Sequence, residues 1–157
     1  MTEKTCCVTG HREIPEDKKE YVIAELEKEI RALFEKWQYS VEEYPFAEGW
    51  VKELKIRGCR VYILSNYGRT MFEYARGGFK FLRHVDGGIV SYQINRIKPD
   101  PEIYRALIEK YSIAPERAVF LDDLPANIAA AEALGFNTIL VRDHDAAKAA
   151  LDELLNG

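Results

Sequence analysis

Val119-Phe120-Leu121-Asp122-Asp123 is the stretch whose reading decides the fold. Three apolar residues run directly into two adjacent carboxylates. Ala118 to Leu121 reads as a buried strand of a parallel sheet, with polar Glu116-Arg117 before it. Asp122 and Asp123 then fall where that strand ends, which in an open α/β sheet is the end where ligands bind. Leu124-Pro125-Ala126-Asn127 opens a helix with Pro125 near its first turn. Ile128, Ala131 and Leu134 form its apolar face, and Gly135 stops it. Neighbouring carboxylates repel, and hard oxygen donors at a strand end suit Mg²⁺. Asp122 or Asp123 could equally cap the following helix. On this stretch alone the two readings stand level.

Working outward, strands and helices alternate. Thr5 to Thr9 reads as a strand, Gly10-His11-Arg12 as a loop, and Ile14 to Trp37 as a long amphipathic helix with Val22, Ile23, Leu26, Ile30, Leu33, Phe34 and Trp37 on one face. Gln38 to Glu43 is a polar connection. A helix over about Pro45 to Arg57 turns Trp50, Val51 and Leu54 inward and ends at Gly58. Arg60 to Leu64 is a buried strand followed by Ser65-Asn66-Tyr67-Gly68. Met71 to Ala75 and Phe79 to Val85 read as short helical pieces around Gly77-Gly78. Asp86-Gly87-Gly88 reads as a turn and Ile89 to Ile94 as a short strand. Lys98-Pro99-Asp100-Pro101 is a stiff extended loop, because proline disfavours helix in the residue before it. A helix from Pro101 turns Tyr104, Leu107, Ile108 and Tyr111 inward. Asn137 to Val141 is the last strand and Asp145 to Leu155 the closing helix. This alternation builds a parallel sheet with helices on both faces and right-handed crossovers.

The bulk numbers fit one ordinary globular domain. The 157 residues suffice for a real core, and 47% hydrophobic with 31% charged residues excludes a disordered chain. A formal net charge of -4 argues against nucleic acid as the main partner. No apolar run reaches membrane-spanning length, and no signal peptide is read before the first strand. Cys6, Cys7 and Cys59 are an odd set without framework spacing, which points to reduced thiols and a cytoplasmic protein.

The polar residues at strand ends and in loops form one chemical set. Ser65 and Asn66 end one strand, Lys98 sits in the proline-stiffened loop, and Asp122 and Asp123 end another strand. A hydroxyl can donate to a phosphoryl oxygen, an ammonium can balance its charge, and an acid pair can hold Mg²⁺. Singly, each has a plainer reading as a turn, cap or solvated lysine. Their joint occurrence, in this order and on these elements, favours a phosphate pocket.

From about Tyr39 to Leu155, the segments PFAEGWVKELKIRGCRVYILSN, IKPDPEIYRALIEKY and AVFLDDLPANIAAAEALG resemble the haloacid dehalogenase-like (HAD) hydrolases over about three quarters of the chain. Ser65 falls on that family's second motif, Lys98 on its third and Asp122-Asp123 on its fourth, with Asn127 on the asparagine that often follows the acids. The resemblance implies a three-layer Rossmann-like α/β core, with a mostly parallel sheet of about five strands in the order 5-4-1-2-3 and helices on both faces. The first strand would lie between the Asp122 strand and the Ser65 strand. It also implies a Mg²⁺-dependent phosphatase-type activity on a small phosphorylated molecule. The family's nucleophile is an aspartate at the end of the first strand, with an acid/base aspartate two residues later. Here those places fall on Cys7 and Thr9 or, shifted by two residues, on Thr9 and His11. Neither alignment supplies a carboxylate, and the cap domain that follows the first motif is absent. Impaired or lost catalysis is therefore expected.

Met1 to about Trp37, through KTCCVTGHREIPEDKKEYVIAELEKEI, instead resembles the opening strand and helix of SLOG proteins, Rossmann-like modules associated with nucleotide-related ligands. The chain thus reads as a chimera of a SLOG-like strand-helix segment and a HAD-like core within one domain. That resemblance offers an alternative function, in which Gly10, His11 and Arg12 bind a nucleotide or another anion at a helix start without catalysis. A recombinant fold without a ligand is a further alternative. Loss of the cap would leave apolar surface around Tyr67, Met71 and Phe72, which a homodimer could cover.

Overall fold

A computed structural model describes residues 16–38 and 42–156. The strand read at Thr5 to Thr9 and the candidate residues Cys7, Thr9, Gly10, His11 and Arg12 lie outside the described residues. The chain divides into two compact units, one ending at Val41 and one starting at Glu42.

In the first unit the described element is α1, Glu16–Gln38. Its boundaries match the apolar periodicity, and four residues of the stripe, Ile23, Leu26, Ile30 and Leu33, are exposed.

The second unit contains α2 (Ala47–Ile56), β1 (Tyr62–Ser65), α3 (Arg69–Gly78), β2 (Gly87–Val90), α4 (Ser91–Ile94), α5 (Pro101–Tyr111), β3 (Val119–Asp122), α6 (Pro125–Glu132), β4 (Asn137–Leu140) and α7 (His144–Asn156). Short 3-10 turns at Phe81–Arg83 and Pro115–Arg117 lead into β2 and β3. Gly58 ends α2 as expected, at a φ of 82° that closes the helix through Gly58 N–H to the Lys55 carbonyl and Cys59 N–H to the Leu54 carbonyl.

Three local expectations are corrected. Gly77 and Gly78 do not interrupt a helix; they are the last residues of α3. Gly87 and Gly88 are strand rather than turn. Gly88 pairs with Ile63, and a Cβ there would lie 2.3 Å from Ile63 Cγ1 and 2.4 Å from its carbonyl oxygen, so close approach rather than a turn demands the glycine. Ser91 to Ile94 is a helical turn instead of strand, because Gln93 Oε1 accepts the Val90 N–H at 3.1 Å and ends the ladder there.

The strands alternate as a two-sided sheet requires. On β3, Phe120 packs into a cluster built on Ile103, Tyr104 and Leu107 of α5, with Ala131 and Phe136. Val119 and Leu121 face the opposite way, onto Ile139, Ala147 and Leu151, with Trp50 and Leu54 of α2. Tyr62 and Leu64 of β1 join the first cluster. Helices therefore cover both faces, as expected. Tyr67, Met71 and Phe72 are half-buried rather than open, with Phe72 6.2 Å from the Tyr92 ring.

Four of the five expected strands are described and pair as the expected order requires; the remaining one, read at Thr5 to Thr9, lies outside the described residues. Among the described residues the sheet is two parallel pairs, β1–β2 and β3–β4, with no ladder between β1 and β3. The inner edges of those two strands, Val61, Tyr62 and Leu64 on one side and Val119, Phe120 and Leu121 on the other, line a cavity of about 640 Å³.

Candidate functional site

The strand registers bring the site residues to one end. Ser65 closes β1 opposite Val90, and Asp122 closes β3 opposite Leu140, so both stand at carboxyl ends of parallel strands. Asp122 begins the turn into α6, where Pro125 occupies the first turn. Lys98 comes from the loop before α5. The start of that helix is fixed by Asp100, whose Oδ1 accepts the Glu102 N–H at 2.9 Å. The Lys98–Pro99 bond in this loop is cis.

The two acids of the pair behave differently. Asp122 is buried and bonded at both oxygens: Oδ2 accepts from Lys98 Nζ at 2.6 Å, while Oδ1 accepts the Leu124 N–H at 2.9 Å and Asn127 Nδ2 at 2.8 Å. The Lys98 and Asp122 side chains are only 12% and 5% exposed, so this is a buried ion pair rather than a solvated contact. Burial alone would raise the Asp122 pKa. The hydrogen bonds from Lys98, Leu124 and Asn127, with the lysine charge, outweigh it and hold the carboxyl below its usual range. Asp123, one residue on, is exposed and makes no hydrogen bond or ion pair with another described residue. The cation that the adjacent carboxylates called for is thus supplied to Asp122 by Lys98, and Asp123 is left open.

Support comes from behind and beside. Tyr104 is fully buried and donates its hydroxyl to the Asn127 carbonyl at 3.0 Å. Burial, then the nearby Asp122 charge, pushes its phenol up to about 12, so it stays a donor. Lys98 Nζ also lies 5.6 Å from the Phe120 ring centroid. Asn66 holds the main chain of Lys98, accepting its N–H on Oδ1 at 2.7 Å and donating Nδ2 to its carbonyl at 3.0 Å. Of the residues read from the sequence, Asn66, Lys98, Asp122 and Asn127 are joined by direct bonds; Ser65 and Asp123 flank them at the ends of β1 and β3 without bonding to them. Sequence reading missed the grip of Asn66 on Lys98 and the Tyr104 phenol. Both join residues more than twenty positions apart, and no local pattern signals them.

A magnesium ion finds a modest donor set here. Among the described residues no group of three or more His, Cys, Asp and Glu side chains gathers around a common point. Asp123 offers a whole uncommitted carboxylate, and Asp122 Oδ2, with one donor bound, retains a lone pair. Mg²⁺ commonly keeps several waters and takes one or two carboxylates plus substrate phosphate, so the oxygens present fit it as a weakly held ion.

Parallel strand pairs with a lysine–acid cluster at their carboxyl ends define an α/β protein with a polar site where open sheets bind ligands. The family model for haloacid dehalogenase-like hydrolases matches residues 5–135, well over half of the chain. The chain belongs to that family. Among curated proteins, it is 39% identical over 72 residues to bifunctional epoxide hydrolase 2 of Rattus norvegicus, covering 46% of this chain and 13% of that protein. It is 29% identical over 103 residues to (S)-2-haloacid dehalogenase 1 of Pseudomonas sp., covering 66% of this chain and 45% of the dehalogenase. The chain thus spans less than half the length of either relative. A HAD family enzyme from Bacteroides thetaiotaomicron, solved in complex with magnesium and inorganic phosphate, superposes with a TM-score of 0.59 at 27% identity over 63% of this chain and 52% of that one. No helix among the described residues is long and apolar enough to cross a membrane.

Proposed function

We propose that this chain is a HAD-type scaffold that binds phosphate and magnesium at the carboxyl ends of β1 and β3 and has lost ordinary turnover. The observation that carries the reading is the buried Lys98–Asp122 pair beside an open Asp123. In it, Ser65 donates a hydroxyl to a phosphoryl oxygen, and Lys98 sets a positive charge beside the anion while staying bonded to Asp122. Asp123, with the remaining lone pair of Asp122, holds Mg²⁺, which when bound neutralises phosphoryl charge. The substrate class is a small phosphorylated molecule. The binding of magnesium and phosphate by a structural neighbour supports it.

Loss of turnover rests on the first strand, where the nucleophile and acid/base positions fall on Cys7 and Thr9 or, shifted by two residues, on Thr9 and His11, none of them a carboxylate. Without a nucleophile, binding through the remaining groups persists while most of the rate is lost. The chimera of a SLOG-like opening and a HAD-like core, in a cytoplasmic protein, is part of the same proposal.

Calorimetric titration of the full chain with inorganic phosphate, with and without Mg²⁺, tests the pocket. Binding that Lys98→Ala and Asp123→Asn each weaken at least tenfold is expected. An assay with a generic aryl phosphate tests the rest: Mg²⁺-dependent turnover that disappears with Asp123→Asn would overturn the loss of catalysis. Nucleotide binding that Arg12→Ala removes and Asp123→Asn leaves intact would move the function to the Gly10-His11-Arg12 loop. Light scattering checks the expected homodimer.

A further inference from the structure

The geometry points to Asn66 as a positioning residue that acts through Lys98, rather than as an anion ligand beside Ser65. Its side-chain amide engages both main-chain polar groups of a single residue: Oδ1 accepts the Lys98 N–H at 2.7 Å and Nδ2 donates to the Lys98 carbonyl at 3.0 Å. This is the pattern a strand neighbour makes, with one amide group standing in for a peptide. It also fixes which end of the amide is which, because the reversed amide would oppose donor to donor and acceptor to acceptor. The oxygen and one N–H are thereby committed, leaving one N–H of the side chain.

The consequence lies at the other end of Lys98. A lysine side chain is long and rotamer-rich, and its ammonium reaches a defined point only if its main chain is held. Asn66 stands directly after β1, whereas the ammonium bonds Asp122 at the end of β3 at 2.6 Å, in the other strand pair. Asn66, Lys98, Asp122 and Asn127 therefore form one unbroken chain of direct bonds across the mouth of the gap between β1 and β3. Asn66 sets where the Lys98 charge sits. The phosphate part of the test rests on the pocket proposed above; the exchange part does not.

Amide hydrogen exchange measured by NMR on the full chain decides whether Asn66 holds Lys98. Asn66→Ala is expected to speed exchange of the Lys98 amide at least tenfold while leaving the Ile63, Leu64 and Ser65 amides unchanged. Asn66→Asp keeps an acceptor for that N–H but sets a carboxylate oxygen against the Lys98 carbonyl, so it is expected to restore only part of the protection. Titration with inorganic phosphate then separates positioning from direct ligation. Asn66→Ala and Lys98→Ala are expected to weaken binding at least fivefold each, and the double variant to bind within about twofold of Lys98→Ala alone, because residues acting through one another do not add. A Lys98 amide that exchanges at the same rate in Asn66→Ala as in the unaltered chain, or losses that multiply in the double variant, would overturn the assignment. If the unaltered chain binds no phosphate, the pocket is wrong, and the exchange rates still decide whether Asn66 holds Lys98.

Discussion

The ends of β1 and β3 are tied together, whereas their lengths are not. At the carboxyl end, direct hydrogen bonds run from Asn66 through Lys98 and Asp122 to Asn127. Below that mouth the same two strands share no ladder and line a cavity of about 640 Å³. The difference separates two things that a family motif presents as one. The residues that hold charge in place assemble from loops and strand ends within the second unit. The family resemblance assigns the group that would do covalent chemistry to the strand read at Thr5 to Thr9, outside the described residues.

The hardest strain on that separation is to return the missing acid. If Thr5 to Thr9 serves the gap, Cys7→Asp with Thr9→Asp gives a carboxylate nucleophile and its acid/base partner. Aryl phosphate turnover in Mg²⁺ is then expected to rise on the order of 100-fold or more over the unaltered chain, a gain worth ~2.7 kcal/mol at about 1.36 kcal/mol per decade. The pair Thr9→Asp with His11→Asp tests the alignment shifted by two residues. Gain by one pair and not the other fixes the register. No gain by either breaks the comparison, because the charged mouth would then be unserved by this segment.

The mouth itself is tested through stability. Asp122→Ala leaves Lys98 buried without its partner, and breaking a buried pair from one side costs about 3–5 kcal/mol. Chemical denaturation should show that loss, with Asp123→Ala near zero because its side chain is exposed and unengaged. The pH dependence has a definite sign. Asp122 titrates below its usual range when folded, so its contribution is fully present above the unfolded carboxyl pKa of about 3.9 and is lost as pH falls through the lower folded value. Acid unfolding of the unaltered chain below about pH 4 should be steeper than that of Asp122→Asn. Equal acid sensitivity would mean that the pair does not hold the mouth.

The strand lengths are probed by Gly88→Ala. A Cβ would press on the Ile63 carbonyl oxygen, which is main chain and cannot swing aside. A cost of about 1–3 kcal/mol is expected from overpacking. A neutral result would show that β1 and β2 can separate as freely as β1 and β3.

Much of this was legible from residue order, and the reasons are local. Val119 to Asp123 is apolar up to a strand end and charged after it, so both the strand and the site position follow from five consecutive residues. Pro125 and Gly135 mark the two ends of the helix region after it. What stayed hidden is long-range. Gly87-Gly88 carries turn chemistry, yet lies in a strand because it pairs with Tyr62-Ile63, more than twenty positions earlier. The division of labour between Asp122 and Asp123 depends on Lys98 reaching one and not the other, which the doublet itself does not encode. The stripe of α1 has the periodicity of a buried face, with four of its residues exposed, and periodicity shows that a face is apolar without showing what meets it.

The smallest expected effect tests how far the mouth extends into the core. Tyr104 is fully buried, and its hydroxyl bonds the main-chain carbonyl of Asn127, not the amide that holds Asp122. Tyr104→Phe keeps the ring against Phe120, 5.4 Å away, and removes one hydrogen bond. A loss of about 1 kcal/mol in unfolding free energy is expected. Phosphate affinity should stay within about threefold, because Asn127 is also placed by its N–H to the Leu124 carbonyl at 3.0 Å and by the first turn of α6. If affinity instead falls as far as it does in Lys98→Ala, the phenol is a working member of the charged mouth. The boundary between site and core would then lie one residue deeper than Asn127.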